Sequence, residues 1–319
     1  MNTILLYRGE NFNANFYYFS GTDISNSFLL IEGKKKTLLV SELEEPGARK
    51  SFKGKIEVMD DFYPYLQKEL KGKKVKIDGV KLSAKIFEKL SKFCKPTDAS
   101  AELYEKRMIK RKDEIEKIKK AVRLTNEILD SLDVSRGTTE NDVKQQVLKY
   151  FFDNGVEPAF KPIVASGSNT AIPHHSPTNA RITDFALIDC GAKFDNYCSD
   201  LTRCFAVKHT ESSEREGKLY QQLHEVFDMI IDEIPSLHTG GELAKFTNQL
   251  MEKKGFPRMI HAIGHGVGLD IHEFPRLSSK YDDKLKGTVF ALEPAVYYKT
   301  YGARFEETVY YDGKKVRVL

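Results

Sequence analysis

The chain has 319 residues, with 50 lysine and arginine residues against 46 aspartate and glutamate, a formal net charge of +4 and 40% hydrophobic residues. That length suits two domains and a large core, and so balanced a charge creates no basic field for nucleic acid or an acidic membrane surface. No run of about eighteen apolar residues is present, and no basic region followed by an apolar core opens the chain, so neither a membrane span nor a secretory signal is expected.

In chain order, residues 1–104 alternate short strands (Thr3–Tyr7, Ser27–Ile31, Thr37–Val40, Lys74–Ile77) with helical runs near Phe62–Leu70 and Ser83–Phe93, which predicts a small α/β domain. The lysine-rich run Lys71–Lys95 interleaves with Val75, Ile77, Leu82, Ile86, Phe87 and Leu90, and reads as a solvated face over apolar positions. From Lys106 to Leu132, apolar residues at 108, 115, 118, 122, 128 and 129 follow the period of an amphipathic helix, opening a second domain over residues 105–319. A helix from Thr139, with Asp142 completing a capping box, ends at Asn154–Gly155. Two more helices, Ser213–Ile234 and Leu243–Lys254, follow the first predicted hairpin. The four cysteines, Cys94, Cys190, Cys198 and Cys204, form no C-x-x-C pair and read as small buried thiols in a reducing, cytoplasmic compartment.

The chemistry concentrates in that second domain. Phe185–Gly191 reads as a buried strand, Tyr197–Val207 as its return, and Lys193–Asn196 as the turn, which sets Asp189 opposite Asp200. Like charges facing each other across a hairpin destabilise it, and a bound cation removes the conflict. The pattern repeats: Thr288–Glu293 stops at Pro294, Arg304–Tyr311 returns, and a centre near Lys299–Thr300 sets Glu293 opposite Glu306. A bulge would shift either register by one residue. Glu307 falls on the other face and is expected in solvent. Between the pairs lies His261-Ala262-Ile263-Gly264-His265-Gly266-Val267-Gly268. The spacing of His261 and His265 would suit a zinc-binding helix, but the glycines argue against one and favour close backbone approach. Four carboxylates and one imidazole balance two divalent ions of manganese, iron, cobalt or zinc. Such a pair activates water and polarises a carbonyl, so the expected chemistry is hydrolysis. His209, His224 and His238 lack partners and read as ordinary surface or core histidines.

The stretches Leu187–Ala192, Tyr197–Arg203, Gly264–Leu269, His272–Pro275, Glu293–Pro294 and Arg304–Glu306, in that order, resemble the motifs of the pita-bread metallopeptidases, which include prolidase, aminopeptidase P and methionine aminopeptidase. The likeness is strong over residues 105–319. Phe16–Thr22 and Ser27–Ile31 resemble the N-terminal domain of the prolidase, aminopeptidase P and creatinase branch. Asn196 stands where a glycine is usual, and Ala295 where glycine follows Glu293-Pro294. The resemblance implies an α+β fold, a curved antiparallel sheet backed by two helix pairs behind a smaller N-terminal α/β domain. It implies that Asp189, Asp200, His265, Glu293 and Glu306 ligate the ions, with Asp200 and Glu306 shared and Glu293 passing a proton to the leaving nitrogen. His174 and His272 are then substrate contacts, His175 has no assigned role, Arg304 buttresses the ligand carboxylates, and Arg276 takes the substrate carboxylate. The expected activity is cleavage of Xaa-Pro dipeptides by a homodimer. The alternatives are aminopeptidase P acting on longer peptides and a non-catalytic peptide-binding module.

Overall fold

The computed structural model describes residues 3–135 and 137–319. The chain divides into two compact units, Met1–Arg107 and Met108–Leu319. Among the described residues no helix is long and apolar enough to cross a membrane.

The first unit is built on a mixed sheet of six strands, ordered Lys55–Val58, Lys35–Val40, Ser27–Glu32, Thr3–Arg8, Lys74–Ile77 and Lys95–Asp98. Its central strands are apolar at consecutive positions because both faces are covered. Leu5, Phe28, Leu30 and Leu39 pack on one side with Leu66, Leu70 and Leu90. Leu6, Leu29, Leu38 and Val40 pack on the other with Phe16, Ala48 and Leu103. Strand alternation alone sorts neighbours such as Leu5 and Leu6 to opposite faces.

Among the described residues the second unit has four long helices, in two pairs. Lys112–Ser131 and Glu140–Asp153 bury Ile118, Val122, Leu129, Val143, Val147 and Phe151. Glu211–Glu233 and Gly240–Lys253 share a core with Phe290, Leu292 and Val309 of the sheet. The expected capping box forms: Thr139 Oγ1 accepts from the Asp142 N–H, and the Thr139 N–H donates to the Asp142 carboxylate at 2.8 Å. The helix expected over Lys106–Leu132 is in fact two, Ser100–Met108 and Lys112–Ser131. The break falls where Ile109 bridges to Thr288 and the Lys110 N–H donates to the Gly287 carbonyl. Backbone committed to a strand cannot continue a helix, whatever the apolar period beside it.

The strands are antiparallel and fall into two halves. In the first, Phe185–Cys190 lies between Ile163–Ser166 and Leu201–Ala206. In the second, Gly264–Gly266 lies between Glu273–Arg276 and Thr288–Leu292, and the sheet continues through Glu307–Tyr311 to Val316–Val318. Among the described residues one isolated bridge, Thr202 to Glu306, joins the halves where the acidic residues lie.

Candidate metal centre

The first half carries Asp189 and Asp200, but not directly opposite each other. Asp189 pairs with Thr202, and the small ribbon beyond keeps the same centre, with Lys193 opposite Cys198 and Phe194 opposite Tyr197. The turn is therefore only Asp195–Asn196, both with positive φ (46° and 68°), as a two-residue hairpin of matching twist requires. Asn196 tolerates this conformation nearly as a glycine does, which accounts for its place in the motif. The corrected register moves Asp200 by two positions, and a shift of two keeps a side chain on its face. The two carboxylates thus remain diagonal neighbours. Gly191 permits the crossing between strand and ribbon, since a Cβ there would lie 1.9 Å from the Ser199 carbonyl oxygen.

The second half holds the expected register. Leu292 pairs with Glu307 and Ala295 with Arg304, so Glu293 and Glu306 face each other in the gap between two short ladders. His265 stands on the strand Gly264–Gly266, paired with Ala291. Gly264 has φ +152°, and a Cβ there would lie 2.0 Å from the Ala291 carbonyl oxygen. Gly264→Ala is accordingly expected to destabilise the fold by about 2–4 kcal/mol, through backbone strain and overpacking. Thermal denaturation reads this directly, and a melting temperature within 2 °C of the parent would refute the close-approach argument.

The side chains converge. One ligand atom each from Asp200, His265 and Glu306 lie within 4.8 Å of one another. His265 Nε2 is 3.4 Å from Asp200 Oδ2 and 4.0 Å from Glu293 Oε1. Its Nδ1 sits 3.2 Å from the Gly266 carbonyl, and donating that proton leaves the Nε2 lone pair toward the acids. Burial, then the neighbouring carboxylates, pushes Asp200 and Glu306 well above the usual carboxylate range, with Arg304 opposing. Asp189 is raised too, by burial, with Arg304 again opposing. Asp189 Oδ1 and Asp200 Oδ1 are buried with no hydrogen-bond partner. Orphaned acceptors beside crowded acids fit a site for divalent cations, whose charge answers both defects.

Arg304 is buried and fully engaged. It donates to Asp189 through Nη2, to Tyr297 Oη through Nη1 at 2.7 Å and to Thr202 Oγ1 through Nε at 2.9 Å. Thr202 Oγ1 in turn donates to Glu306 Oε2 at 2.6 Å. Thr308 exchanges hydrogen bonds with the Asp200 backbone. The sequence reading passed over both threonines. The signal for Thr202 was strand alternation, which puts it on the face of Asp200 two residues earlier; Thr308 carried none.

The cluster lies in a cavity of about 480 Å³ that His174 and His272 also line. The His272 ring stands edge-on to His265, with centroids 4.1 Å apart. Burial, then the nearby His265, lowers its pKa to about 4, so it is neutral at ordinary pH. His175 is a buried structural residue, with Nε2 2.8 Å from Glu140 Oε2. His261 Nδ1 lies 3.6 Å from Glu293 Oε2.

Glu307 and Arg276 also sit differently from what the sequence suggests. Glu307 is not solvated: it is 8% exposed and bonded to Arg203 Nη2 at 2.6 Å, because the face opposite the cluster is buried as well. Arg276 does not line the cavity. Its fork is closed by Asp283, through Nε to Oδ2 and Nη2 to Oδ1, both at 2.8 Å, and its guanidinium sits between the Phe274 and Tyr281 rings. A bidentate carboxylate already satisfies the geometry a substrate would use.

A strand-borne cluster of acids and one imidazole, beneath a cavity and between two helix pairs, defines a metallopeptidase of the pita-bread type. The chain belongs to metallopeptidase family M24, whose model matches residues 116–312, and carries a creatinase/prolidase N-terminal domain over residues 5–109. It is 33% identical over 315 residues to the Xaa-Pro dipeptidase of Pyrococcus furiosus, covering 93% of this chain and 88% of that protein. The prolidase structure from Pyrococcus horikoshii is similar with a TM-score of 0.90 at 28% identity, covering all of this chain and 93% of that one. An X-Pro aminopeptidase structure from Thermotoga maritima is similar with a TM-score of 0.87 at 26% identity, covering all of this chain and 95% of that one.

Proposed function

We propose that this metallopeptidase hydrolyses the Xaa-Pro bond of dipeptides with two divalent ions, which Asp189, Asp200, His265, Glu293 and Glu306 would hold. The observation that carries the reading is the pair of orphaned oxygens, Asp189 Oδ1 and Asp200 Oδ1, buried beside the Asp200–His265–Glu306 cluster. The relatives named Xaa-Pro dipeptidase supply the substrate class. Manganese, cobalt, zinc and iron all suit this donor set. A cytoplasmic homodimer belongs to the same reading.

Bound ions of this kind supply Lewis-acid polarisation and water activation at neutral pH. The protein's residues do the rest. Arg304 holds Asp189 in place and, through Thr202, Glu306. Glu293, with one oxygen toward His265 and the other toward His261, carries a proton to the leaving nitrogen. The linkage to proline is a tertiary amide, and its nitrogen, like any amide nitrogen, must take up a proton to leave. His174 and the neutral His272 line the cavity as donors for the carbonyl oxygen as it gains charge.

Removing metal with a chelator and restoring manganese or cobalt is expected to abolish and then recover cleavage of Gly-Pro and Met-Pro. Activity unaffected by the chelator would overturn the scheme. One observation favours aminopeptidase P as a second reading: with Arg276 committed to Asp283, the residue first expected to select dipeptides is not in the cavity. Comparing Xaa-Pro with Xaa-Pro-Xaa-Xaa substrates separates the two.

A further inference from the structure

The cavity contains three cationic side chains, Lys144, Lys161 and Arg304. Arg304 is spent on Asp189, Thr202 and Tyr297. Lys144, on the helix Glu140–Asp153, and Lys161, just before the strand Ile163–Ser166, make no ion pair among the described residues. Asp189, Asp200, Glu293 and Glu306 line the same cavity, and divalent ions held there would take up their charge, so a substrate carboxylate lying away from them is stabilised by a cation of its own. Phe160, Pro162, Pro177 and Ile271 line the same cavity and offer it apolar surface of the kind a pyrrolidine ring packs against.

We propose that Lys144 and Lys161 hold the free C-terminal carboxylate of the dipeptide and are the residues that select dipeptides over longer peptides. The inference rests on the Xaa-Pro reading above and transfers to these lysines the role first expected of Arg276. Lysine suits the position, because a point charge on a flexible stem follows a carboxylate without a fixed fork geometry. Lys144 is half-buried and Lys161 exposed, so the attraction is screened and falls with added salt. A peptide extended beyond proline presents a neutral amide there.

The test compares Met-Pro with Met-Pro amide, which share the scissile bond, on manganese-loaded parent, Lys144→Met, Lys161→Met and the double variant. The double variant is expected to raise KM for Met-Pro about tenfold or more. Its kcat should stay within about twofold, KM for the amide should be unchanged, and unaltered thermal melts establish folding. KM rising equally for both substrates, or for neither, overturns the assignment. So does loss of the preference for the free acid in Arg276→Met instead. A parent that binds manganese yet cleaves neither substrate refutes the Xaa-Pro reading itself, a result distinct from either of these.

Discussion

Asp200→Asn is expected to lower kcat/KM on an Xaa-Pro dipeptide by about a thousandfold or more while leaving the metal-free protein as stable as the parent, or more so. Both halves of this result follow from one crowd of charges. Without a cation, Asp200 is buried against Asp189 and Glu293, and burial together with their repulsion holds its carboxyl well above the usual range. Asparagine keeps the shape and removes one charge from that crowd, so the apo fold loses a penalty. It also removes a charge from the group nearest His265 Nε2, and with it the affinity for divalent ions. A ligand present at about 100 times its Kd stabilises the folded state by about 2.7 kcal/mol. Added manganese should therefore raise the melting temperature of the parent by several degrees and that of the variant hardly at all. Thermal melts with chelator and with manganese, paired with metal analysis of the purified protein, read both effects. If the variant keeps the manganese-induced gain, Asp200 is not a ligand.

How far the sequence led depends on what each residue's signal was made of. Local signals transferred well. The capping box of Thr139 and Asp142 needs only its own four residues, and the Glu293/Glu306 register follows from a turn centred at Lys299–Thr300 between two clear strand patterns. The first hairpin was misplaced because Lys193 and Phe194 looked like part of the turn, whereas both pair in the ribbon and only Asp195 and Asn196 turn. The error cost nothing in facing, since the shift was even. The strands Lys55–Val58 and Lys95–Asp98 went unread because they are short, lysine-bearing edges of their sheet, the composition expected of protected edges. Partners outside a residue's own element were not legible at all. Nothing near Glu307 announces Arg203, and nothing near Arg276 announces that Asp283 will close its fork.

Glu140→Ala is expected to be among the most destabilising single changes in the chain, at about 3–5 kcal/mol, although Glu140 touches none of the candidate ligands. Glu140 is fully buried. Oε1 accepts from the Ser166 N–H and Asn169 Nδ2, and Oε2 from the Thr178 N–H and Thr178 Oγ1, with His175 Nε2 at 2.8 Å. These donors span the segment 166–178, which carries His174 into the cavity. Alanine leaves the buried Ser166 N–H and His175 ring without this acceptor and releases Asn169 and Thr178 as well, so catalysis should fall along with stability as that segment loosens. Burial raises the Glu140 pKa, but the bonds from Asn169, His175 and Thr178 more than offset it, and the net shift is downward from 4.5. A depressed carboxylate contributes stability that is fully present above its unfolded pKa and is lost as pH falls through the folded value. The melting-temperature gap between parent and Glu140→Gln should therefore be constant near neutral pH and narrow below about pH 4. A gap that widens on acidification, or an alanine variant that melts within 2 °C of the parent, would show that the segment is held by something other than this carboxylate.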